Sequence, residues 1–368
     1  MILRELKLTN FRNYGSAEVT WSPGVNMIRG DNAQGKTNLL ESIGFLSTFR
    51  SFRKSSVAEL IKKERDFFLI RSTFDASSTE HTMNVAYSAE KKYKVRLDGV
   101  DKKKVAPLVG FLNTVVFSPD DLMLMKGRPE DRRRFLDGEI VQTAPESHVL
   151  FSRYQKALKQ RNMLLKNYEY RSCKEMLAAY DQQLAESGAM ILIRRKDVIE
   201  RLLPLVRLAH RRITDGNEEL LLDYEGGLPG FFEKKHTFDQ WHDAFLEKLE
   251  ECRNVDFQRG ITTFGPHRDD IRFFINGDDI RCFGSQGQQR TASLALKIGE
   301  LELMKGQRGE YPVLLLDDVL SELDEKRREA LISAINGKVQ TFVTDTGSEK
   351  LFTDAVEYRV KNGAIYQI

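Results

Sequence analysis

The sequence predicts an α/β protein: a head of mixed sheets with flanking helices, interrupted by an α-helical arm. Three observations carry this. Near the N-terminus, Gly30-Asp31-Asn32-Ala33-Gln34-Gly35-Lys36-Thr37 fits the phosphate-loop pattern G-x-x-x-x-G-K-[ST] and lies between a short strand and a helix. Toward the other end, Val313-Leu314-Leu315-Leu316-Asp317-Asp318 is an apolar strand that ends in two carboxylates. Between them, from about residue 129 to residue 210, helical periodicity rich in Lys, Arg, Glu and Gln replaces the strand patterns. The expected division is residues 1–120 for the first half of the head, 121–256 for the arm and 257–368 for the second half.

Each element follows from local pattern. Ile2 to Leu8 alternates apolar and polar residues, an edge or half-buried strand rather than a leader peptide. Val19 to Trp21 and Val25 to Arg29 read as strands, and Leu39, Leu40, Ile43 and Leu46 set a helix after the loop. Ser51 to Ser56 is a basic connector, followed by a short helix at Val57 to Ile61. Phe67 to Phe74, Met83 to Tyr87 and Tyr93 to Leu97 read as strands; Asp98-Gly99 is a hairpin turn that puts Lys102, Lys103 and Lys104 on an exposed return. Thr114 to Phe117 is a short buried strand ending in Ser118-Pro119-Asp120-Asp121.

In the arm, Pro129-Glu130-Asp131 opens a helix, with proline in the first turn and acids at the positive end of the dipole. Long helical patterns run from Glu146 to Tyr170 and from Lys174 to Ala209. Residues 215–232 hold Gly216, Gly226, Gly227, Pro229 and Gly230 and read as loop. Phe238 to Cys252 is a helix with Trp241, Phe245 and Leu249 on one core-facing stripe. Asp270 to Ile275 and Asp279 to Cys282 flank the hairpin signal Asn276-Gly277. Gln286 to Lys305 is a helix, Pro312 to Asp317 a strand, Glu325 to Ile335 a helix and Gln340 to Val343 a strand.

Composition bounds the reading. With 368 residues, 41% hydrophobic and 30% charged, the chain has core enough for two or three domains and a heavily charged surface. A formal net charge of +3 permits a nucleic-acid partner without arguing for one. Cys173, Cys252 and Cys282 are far apart and form no C-x-x-C, which suits reduced thiols and a cytoplasmic setting. No apolar run approaches the ~18 residues of a membrane span.

The chemistry starts at the loop. Its glycines let the backbone wrap a triphosphate with N–H groups pointing inward. Lys36 is expected to reach the β- and γ-phosphates, and Thr37 to offer its hydroxyl to Mg²⁺. Asp317 is expected to hold the same ion from its buried strand, and Asp318 to orient or deprotonate the attacking water. Phe283-Gly284-Ser285-Gln286-Gly287-Gln288-Gln289-Arg290 opens another helix, whose N-terminus either receives a phosphate or is a plain cap.

Together, Gly30–Thr37, Ser285-Gln286-Gly287-Gln288-Gln289, Leu314–Asp318 and Ser321-Glu322-Leu323-Asp324 resemble an ABC-type ATPase head. The second run is similar to that family's signature motif and the last to its D-loop. A head interrupted by a helical arm resembles the SMC branch. Within it, Asn10-Phe11-Arg12-Asn13-Tyr14, Gly127-Arg128-Pro129 with Arg132–Leu136, and Gly265-Pro266-His267-Arg268-Asp269-Asp270 are similar to the RecF family of bacterial DNA repair, over nearly the whole chain.

The resemblance implies a weak, DNA-stimulated ATPase that uses ATP and Mg²⁺ and dimerises around two ATP molecules. Arg12 and Gly30 to Asn38 of one subunit, with Ser285, Gly287 and Gln288 of the other, form each nucleotide site. It also implies binding to duplex DNA at gap junctions in recombinational repair and replication, with RecR and RecO as partners in loading RecA. Two departures bear on rate. The residue after the Mg²⁺ aspartate is Asp318 where ABC heads usually carry Glu, and Val343-Thr344-Asp345-Thr346 stands where a switch histidine is expected. Ser118-Pro119-Asp120 likewise occupies the place of the Q-loop glutamine. Slow hydrolysis and a long-lived ATP-bound dimer are therefore expected.

Arg50, Arg53 and Lys54 after the loop's helix, with Lys102, Lys103 and Lys104, are the expected DNA-contacting cations, and Arg132-Arg133-Arg134 is a further charge cluster. Such runs are more often solvated faces than sites. No recognition-helix signature appears, so contact is expected with the phosphate backbone rather than with base edges. His267 lacks a second His or Cys at metal-ligand spacing; a structural or DNA-side role fits better, with Arg268 paired to Asp269 or Asp270. Two rival readings are an ATPase subunit of a membrane transporter and a scaffold that binds ATP without hydrolysing it.

Overall fold

The computed structural model describes residues 1–122, 124–345 and 352–368. Two compact units emerge. One comprises Met1–Met123, Leu205–Glu218 and Gln286–Ile368; the other comprises Leu124–Pro204 and Glu219–Ser285.

The first unit opens with β1 (Ile2–Phe11), β2 (Tyr14–Thr20) and β3 (Val25–Arg29), followed by α1 (Lys36–Thr48). Next come β4 (Phe67–Ala76), β5 (Thr79–Ser88), β6 (Lys92–Leu97), β7 (Val100–Lys102), β8 (Thr114–Phe117) and the single turn α2 (Pro119–Leu122). A six-stranded antiparallel sheet has the order β2-β1-β4-β5-β6-β7. Its period-two pattern gives one dry face: Phe68, Ile70, Ser72 and Phe74 of β4 point inward, and exposed Arg71 points out.

The helical region continues with α3 (Pro129–Thr143), α4 (Ser147–Asn167), α5 (Tyr170–Ile213), β9 (Leu220–Glu225), α6 (Phe238–Arg259), β10 (Asp270–Ile275), β11 (Asp278–Asp279) and the short α7 (Ile280–Phe283). The chain then re-enters the first unit with α8 (Gln286–Arg308), β12 (Val313–Asp317), α9 (Glu325–Ile335), β13 (Thr341–Asp345), β14 (Val356–Lys361) and β15 (Ala364–Gln367).

These late strands complete the second sheet of the first unit, in the order β15-β14-β3-β13-β12-β8. All pairings are parallel except the β14–β15 edge. Parallel strands covered on both faces read as unbroken apolar runs, and every residue of β12 is buried. Helix α1 packs against both sheets. Phe45 meets Phe68 edge-to-face with centroids 5.6 Å apart. On the other side Gly44 lies so near Leu315 that a Cβ would sit 3.4 Å from its Cδ1. Gln340 ties the sheets: its Oε1 accepts the Leu3 N–H at 2.7 Å, and its Nε2 donates to the carbonyls of Leu3 and Ser22 at 2.8 Å.

Three local expectations change. Residues 220–225 form β9 rather than loop, because Leu220, Leu222 and Tyr224 find an antiparallel partner in β10. The stretch expected as a strand from Asp279 to Cys282 is a two-residue ladder followed by a helix turn, capped by the Asp279 carboxylate on the Arg281 N–H. The patterns expected at 146–170 and 174–209 become α4 and one 44-residue α5, whose residues are divided between the two units after Pro204. Residues 257–285 go with the helical unit, since β10 pairs with β9 and Asp270 is bound by Arg132 of α3.

The helical unit has an apolar core around Tyr154, Trp241, Phe245 and Leu249, as the α6 stripe predicts. A Cβ on Gly188 would stand 2.5 Å from the Phe245 ring, so glycine sets the approach of α5 to α6. A buried polar layer accompanies this core. Arg161 is fully buried and donates to Asp181 and Asp256, both at 2.6 Å, and to Thr262 at 2.9 Å.

Candidate nucleotide site

The phosphate loop leaves β3 and enters α1 at Lys36, with Gly35 at the helix N-cap. Two glycines are demanded by close approach as well as by backbone angle. Gly30 has φ +156°, and a Cβ there would lie 2.4 Å from the Val360 carbonyl oxygen. Gly35 has φ +115°, and a Cβ would lie 2.4 Å from the Asn13 amide nitrogen. The turn between β1 and β2 grips the loop from that side. Asn13 Nδ2 donates to the Gln34 carbonyl at 2.8 Å, and the buried Tyr14 hydroxyl donates to the Gly35 carbonyl at 2.9 Å. Burial pushes the Tyr14 phenol pKa up, so it stays a donor. The Asn362 N–H holds Gln34 Oε1 at 2.7 Å. Asp31, Asn32 and Ala33 remain exposed at the mouth.

Lys36 is buried, and its ammonium donates to the carbonyls of Gly30 at 2.6 Å and Asp31 at 3.3 Å. The loop's own backbone thus keeps the charge inside the cradle. We expect Gly35→Ala to displace Asn13 and add about 1–3 kcal/mol of local strain. A titration with a fluorescent ATP analogue checks this: binding should weaken about 10-fold or more. An unchanged titration would show that the cradle does not depend on this contact.

The second half of the site comes from β12. The Thr37 hydroxyl donates to Asp317 Oδ1 at 2.8 Å across 280 residues of sequence. Burial raises the Asp317 pKa; hydrogen bonds from Thr37 and Thr344 and the field of Arg53 oppose that, while Asp318 adds to it. The pair suits Mg²⁺: one hydroxyl and one carboxylate, side by side and both hard oxygen donors, match an ion that keeps few protein ligands and takes the rest from phosphate and water. Among the described residues no group of three or more His, Cys, Asp or Glu is placed to hold a metal on its own.

Asp318 follows with φ +52°, the left-handed region, and Thr344 of β13 accepts its N–H at 2.8 Å. Thr344 is the site residue that spacing did not single out. The signal was present: a hydroxyl directly at the exit of an apolar strand. Thr346 lies outside the described residues.

The signature-like run opens α8. Ser285 and Gln286 are exposed; Gln288 Nε2 donates to Glu218 Oε1 at 2.9 Å, and the Gly287 carbonyl accepts from Arg327 Nη2 at 2.8 Å. Arg327 also donates to the Thr291 hydroxyl at 2.8 Å and pairs with Asp324. Arg290 pairs with Glu322 at 2.9 Å. The D-loop-like run 321–324 is therefore bolted to the start of α8 by two arginines, and Arg327 was not foreseen.

The basic residues sort differently from expectation. Arg12, expected at the nucleotide, is engaged with α1 and the connector. Its guanidinium forks onto the fully buried Glu41 carboxylate with two 2.8 Å bonds and also donates to Ser55 and the Glu59 carbonyl. A buried carboxylate needs such a partner, so Arg12 clamps α1 to the connector. Arg53 Nη1 donates to Asn38 Oδ1 at 3.1 Å, and Asn38 donates to Asn13 Oδ1 at 2.8 Å, so the connector is linked to the turn that grips the loop. Arg50, Lys54, Lys102, Lys103 and Lys104 are exposed.

Arg132 leaves the candidate DNA surface: it is buried and forks onto Asp270 at 2.8 and 2.7 Å. Arg133 donates to the Asp269 carbonyl, and Arg134 pairs with Glu130 and Asp131. Arg268 pairs with neither neighbouring aspartate; it donates to the Thr262 carbonyl, while Asp269 accepts from Tyr224. His267 is half-buried and bonds Tyr154 at 2.7 Å, and burial lowers its pKa to about 4, which fits a structural role.

Residues 2–362 match the RecF/RecN/SMC N terminal domain family. The chain is 41% identical over 368 residues to the DNA replication and repair protein RecF of Natranaerobius thermophilus, covering 98% of this chain and 95% of the relative. It is 40% identical over 371 residues to the protein of the same name from Bacillus subtilis, covering 99% and 100%. Among solved structures it is similar to a recombination mediator protein RecF with ATP in the RecFOR pathway, at a TM-score of 0.91 and 33% identity, covering 100% of this chain and 97% of the other. An Smc head bound to the C-winged helix domain of ScpA shares the fold, at a TM-score of 0.55 and 13% identity, covering 100% and 97%.

Proposed function

The chain belongs to the RecF family of DNA replication and repair proteins, within the RecF/RecN/SMC group, and from that premise we propose an ATP-gated DNA-binding protein of recombinational repair and replication-gap processing. It is an ABC-type ATP-binding protein with an SMC-like head. ATP binding drives two copies together on duplex DNA at single-strand/double-strand junctions, and slow hydrolysis, stimulated by DNA, releases them. RecO and RecR are the partners, RecA is loaded as the outcome, and the setting is the cytoplasm. Family membership sets aside the transporter reading.

One observation carries the nucleotide half of this proposal: Thr37 and Asp317 share a 2.8 Å hydrogen bond although they come from opposite ends of the chain. A phosphate loop and an acidic strand end joined in this way form a triphosphate-Mg²⁺ site. Thr37 and Asp317 would hold Mg²⁺, which neutralises charge on the β- and γ-phosphates. Lys36 binds the same phosphates from inside the cradle, and Asp318 orients the attacking water. Exposed Ser285, just before α8, with half-buried Gly287 and Gln288 in its first turn, is the surface offered to the nucleotide of a second copy.

The DNA half rests on exposed cations. Arg50, Arg53, Lys54 and Lys102 to Lys104 are exposed, which supports contact with phosphates, so affinity should fall steeply with salt. Light scattering with and without ATP, paired with anisotropy on gapped and plain duplex DNA, tests the proposal. The expected result is a mass doubling and tighter DNA binding that both require ATP. A monomer that binds DNA equally with or without ATP overturns it.

Asp318→Asn separates this reading from a scaffold that never hydrolyses. Single-turnover hydrolysis by the unmodified chain should be measurable but well below ~1 s⁻¹, at the slow end of the enzyme range. The variant should be slower by about 100-fold, the lower range for losing a general base, and should keep its ATP-dependent dimer. Hydrolysis that Asp318→Asn leaves unchanged would remove Asp318 from the chemistry.

A further inference from the structure

Beyond the residues already given roles, β13 brings a buried hydroxyl to the heart of the site. Strands β12 and β13 are parallel, with Asp317 opposite Thr344 in the register. Thr344 is 1% exposed, so its contacts are made with protein rather than bulk water. Its Oγ1 accepts the Asp318 N–H at 2.8 Å. The same oxygen lies 3.0 Å from Asp317 Oδ1, 3.3 Å from Asp318 Oδ1 and 3.4 Å from the Leu316 carbonyl.

A threonine hydroxyl has one proton to donate. Three acceptors surround it, two of them the carboxylates of the site. Its acceptor side meanwhile serves the N–H of a non-glycine residue held at φ +52°. L-residues enter that region at a cost and stay there only when their surroundings hold them. Asp318 therefore points its carboxylate where it does partly because Thr344 pins the peptide behind it.

We propose that Thr344 is the positioning residue for the two carboxylates of the nucleotide site. It holds the left-handed turn at Asp318 through the backbone, and it lends its single proton to whichever of Asp317 and Asp318 carries the more exposed charge. Thr37 already donates to Asp317 Oδ1, so the Thr344 proton is the one free to move. With Asp317 committed to a cation, the Thr344 hydroxyl would donate its hydrogen bond to Asp318 and fix the carboxylate that faces water. The inference rests on the assignment of Asp317 to Mg²⁺ and Asp318 to the attacking water.

Thr344→Val keeps the β-branched shape and removes both functions of the hydroxyl; Thr344→Ser keeps the hydroxyl. In the nucleotide-free chain, hydrogen exchange at the Asp318 amide should speed up about 10-fold or more in Thr344→Val, because the acceptor is gone. Single-turnover hydrolysis should fall about 10-fold or more, while affinity for a fluorescent ATP analogue in EDTA stays within about 2-fold, the split expected of a group that acts after binding. Thr344→Ser should restore both the exchange and the hydrolysis.

Thr344→Val with normal exchange and normal hydrolysis overturns the proposal. So does loss of nucleotide binding in both variants, which marks a packing role. Asp318→Asn run alongside keeps the two ideas apart: if it is slow while Thr344→Val is normal, the positioning role fails and the Asp318 assignment stands. If Asp318→Asn hydrolyses normally, the assignment fails and the positioning role falls with it.

Discussion

Lys36→Ala will abolish ATP-driven self-association and the ATP-dependent part of DNA binding while the chain stays folded. The ammonium is buried in the loop and held by the Gly30 and Asp31 carbonyls at 2.6 and 3.3 Å. Truncating one side of a buried charged contact costs about 2–5 kcal/mol, so ATP affinity should fall on the order of 100-fold or more. Fold is spared because the ammonium donates to carbonyls of the loop itself, and the loop keeps its grip from Asn13, Tyr14 and Asn362. Isothermal titration with ATP, followed by light scattering, reads both effects. A variant that still doubles its mass with ATP would show that the switch does not run through this loop.

The largest stability effect should come from the helical unit. Arg161→Ala takes the cation from the buried Asp256 and leaves the buried Asp181 the looser pairing with Arg253 at 3.9 Å. Breaking a buried ion pair from one side costs about 3–5 kcal/mol, chiefly the expense of the stranded charge. Urea unfolding of the full chain, followed by a helix signal, should show the helical unit melting at a clearly lower midpoint. The triple change Arg161→Met, Asp181→Leu and Asp256→Leu should recover most of the loss, since it removes the charges together. A loss below about 1 kcal/mol in Arg161→Ala would mean that water reaches the cluster and that the ion pairs behave as surface pairs.

These two expectations differ in how much of them the sequence foretells. Lys36 is legible because the phosphate loop is a short-range object: its glycines, lysine and hydroxyl lie within eight positions, and local stereochemistry dictates their spacing. Arg161 carries no such mark. In sequence it is one arginine among the charges of a long helix, and its partners lie 20 and 95 residues away. Arg132 misleads in the same way: it stands in a run of three arginines that reads as surface charge, yet Asp270, 138 residues distant, draws it inside.

Arg12 shows the limit of a motif. The run Asn10 to Tyr14 meets the phosphate loop through Asn13 and Tyr14, which brace it. Arg12 is taken by Glu41, a fully buried carboxylate on α1 that requires a cation. Residues 220–225 make the same point for secondary structure. The glycines around them signal loop, and only β10 supplies the ladder that makes them a strand.

By itself the sequence determined the phosphate loop, the acidic strand end, several helix starts and the hairpin turns, and the interruption of the head by helices. Each of these is written in neighbours a few residues apart, where backbone angle, capping and periodicity decide the outcome. The tertiary structure alone decided which distant groups meet: Gln340 across two sheets, Arg12 on Glu41, Arg132 on Asp270, and Thr344 between Asp317 and Asp318. The reason is energetic. A buried polar group must be satisfied by whatever the fold brings to it, and that partner is set by strand register and packing rather than by spacing along the chain.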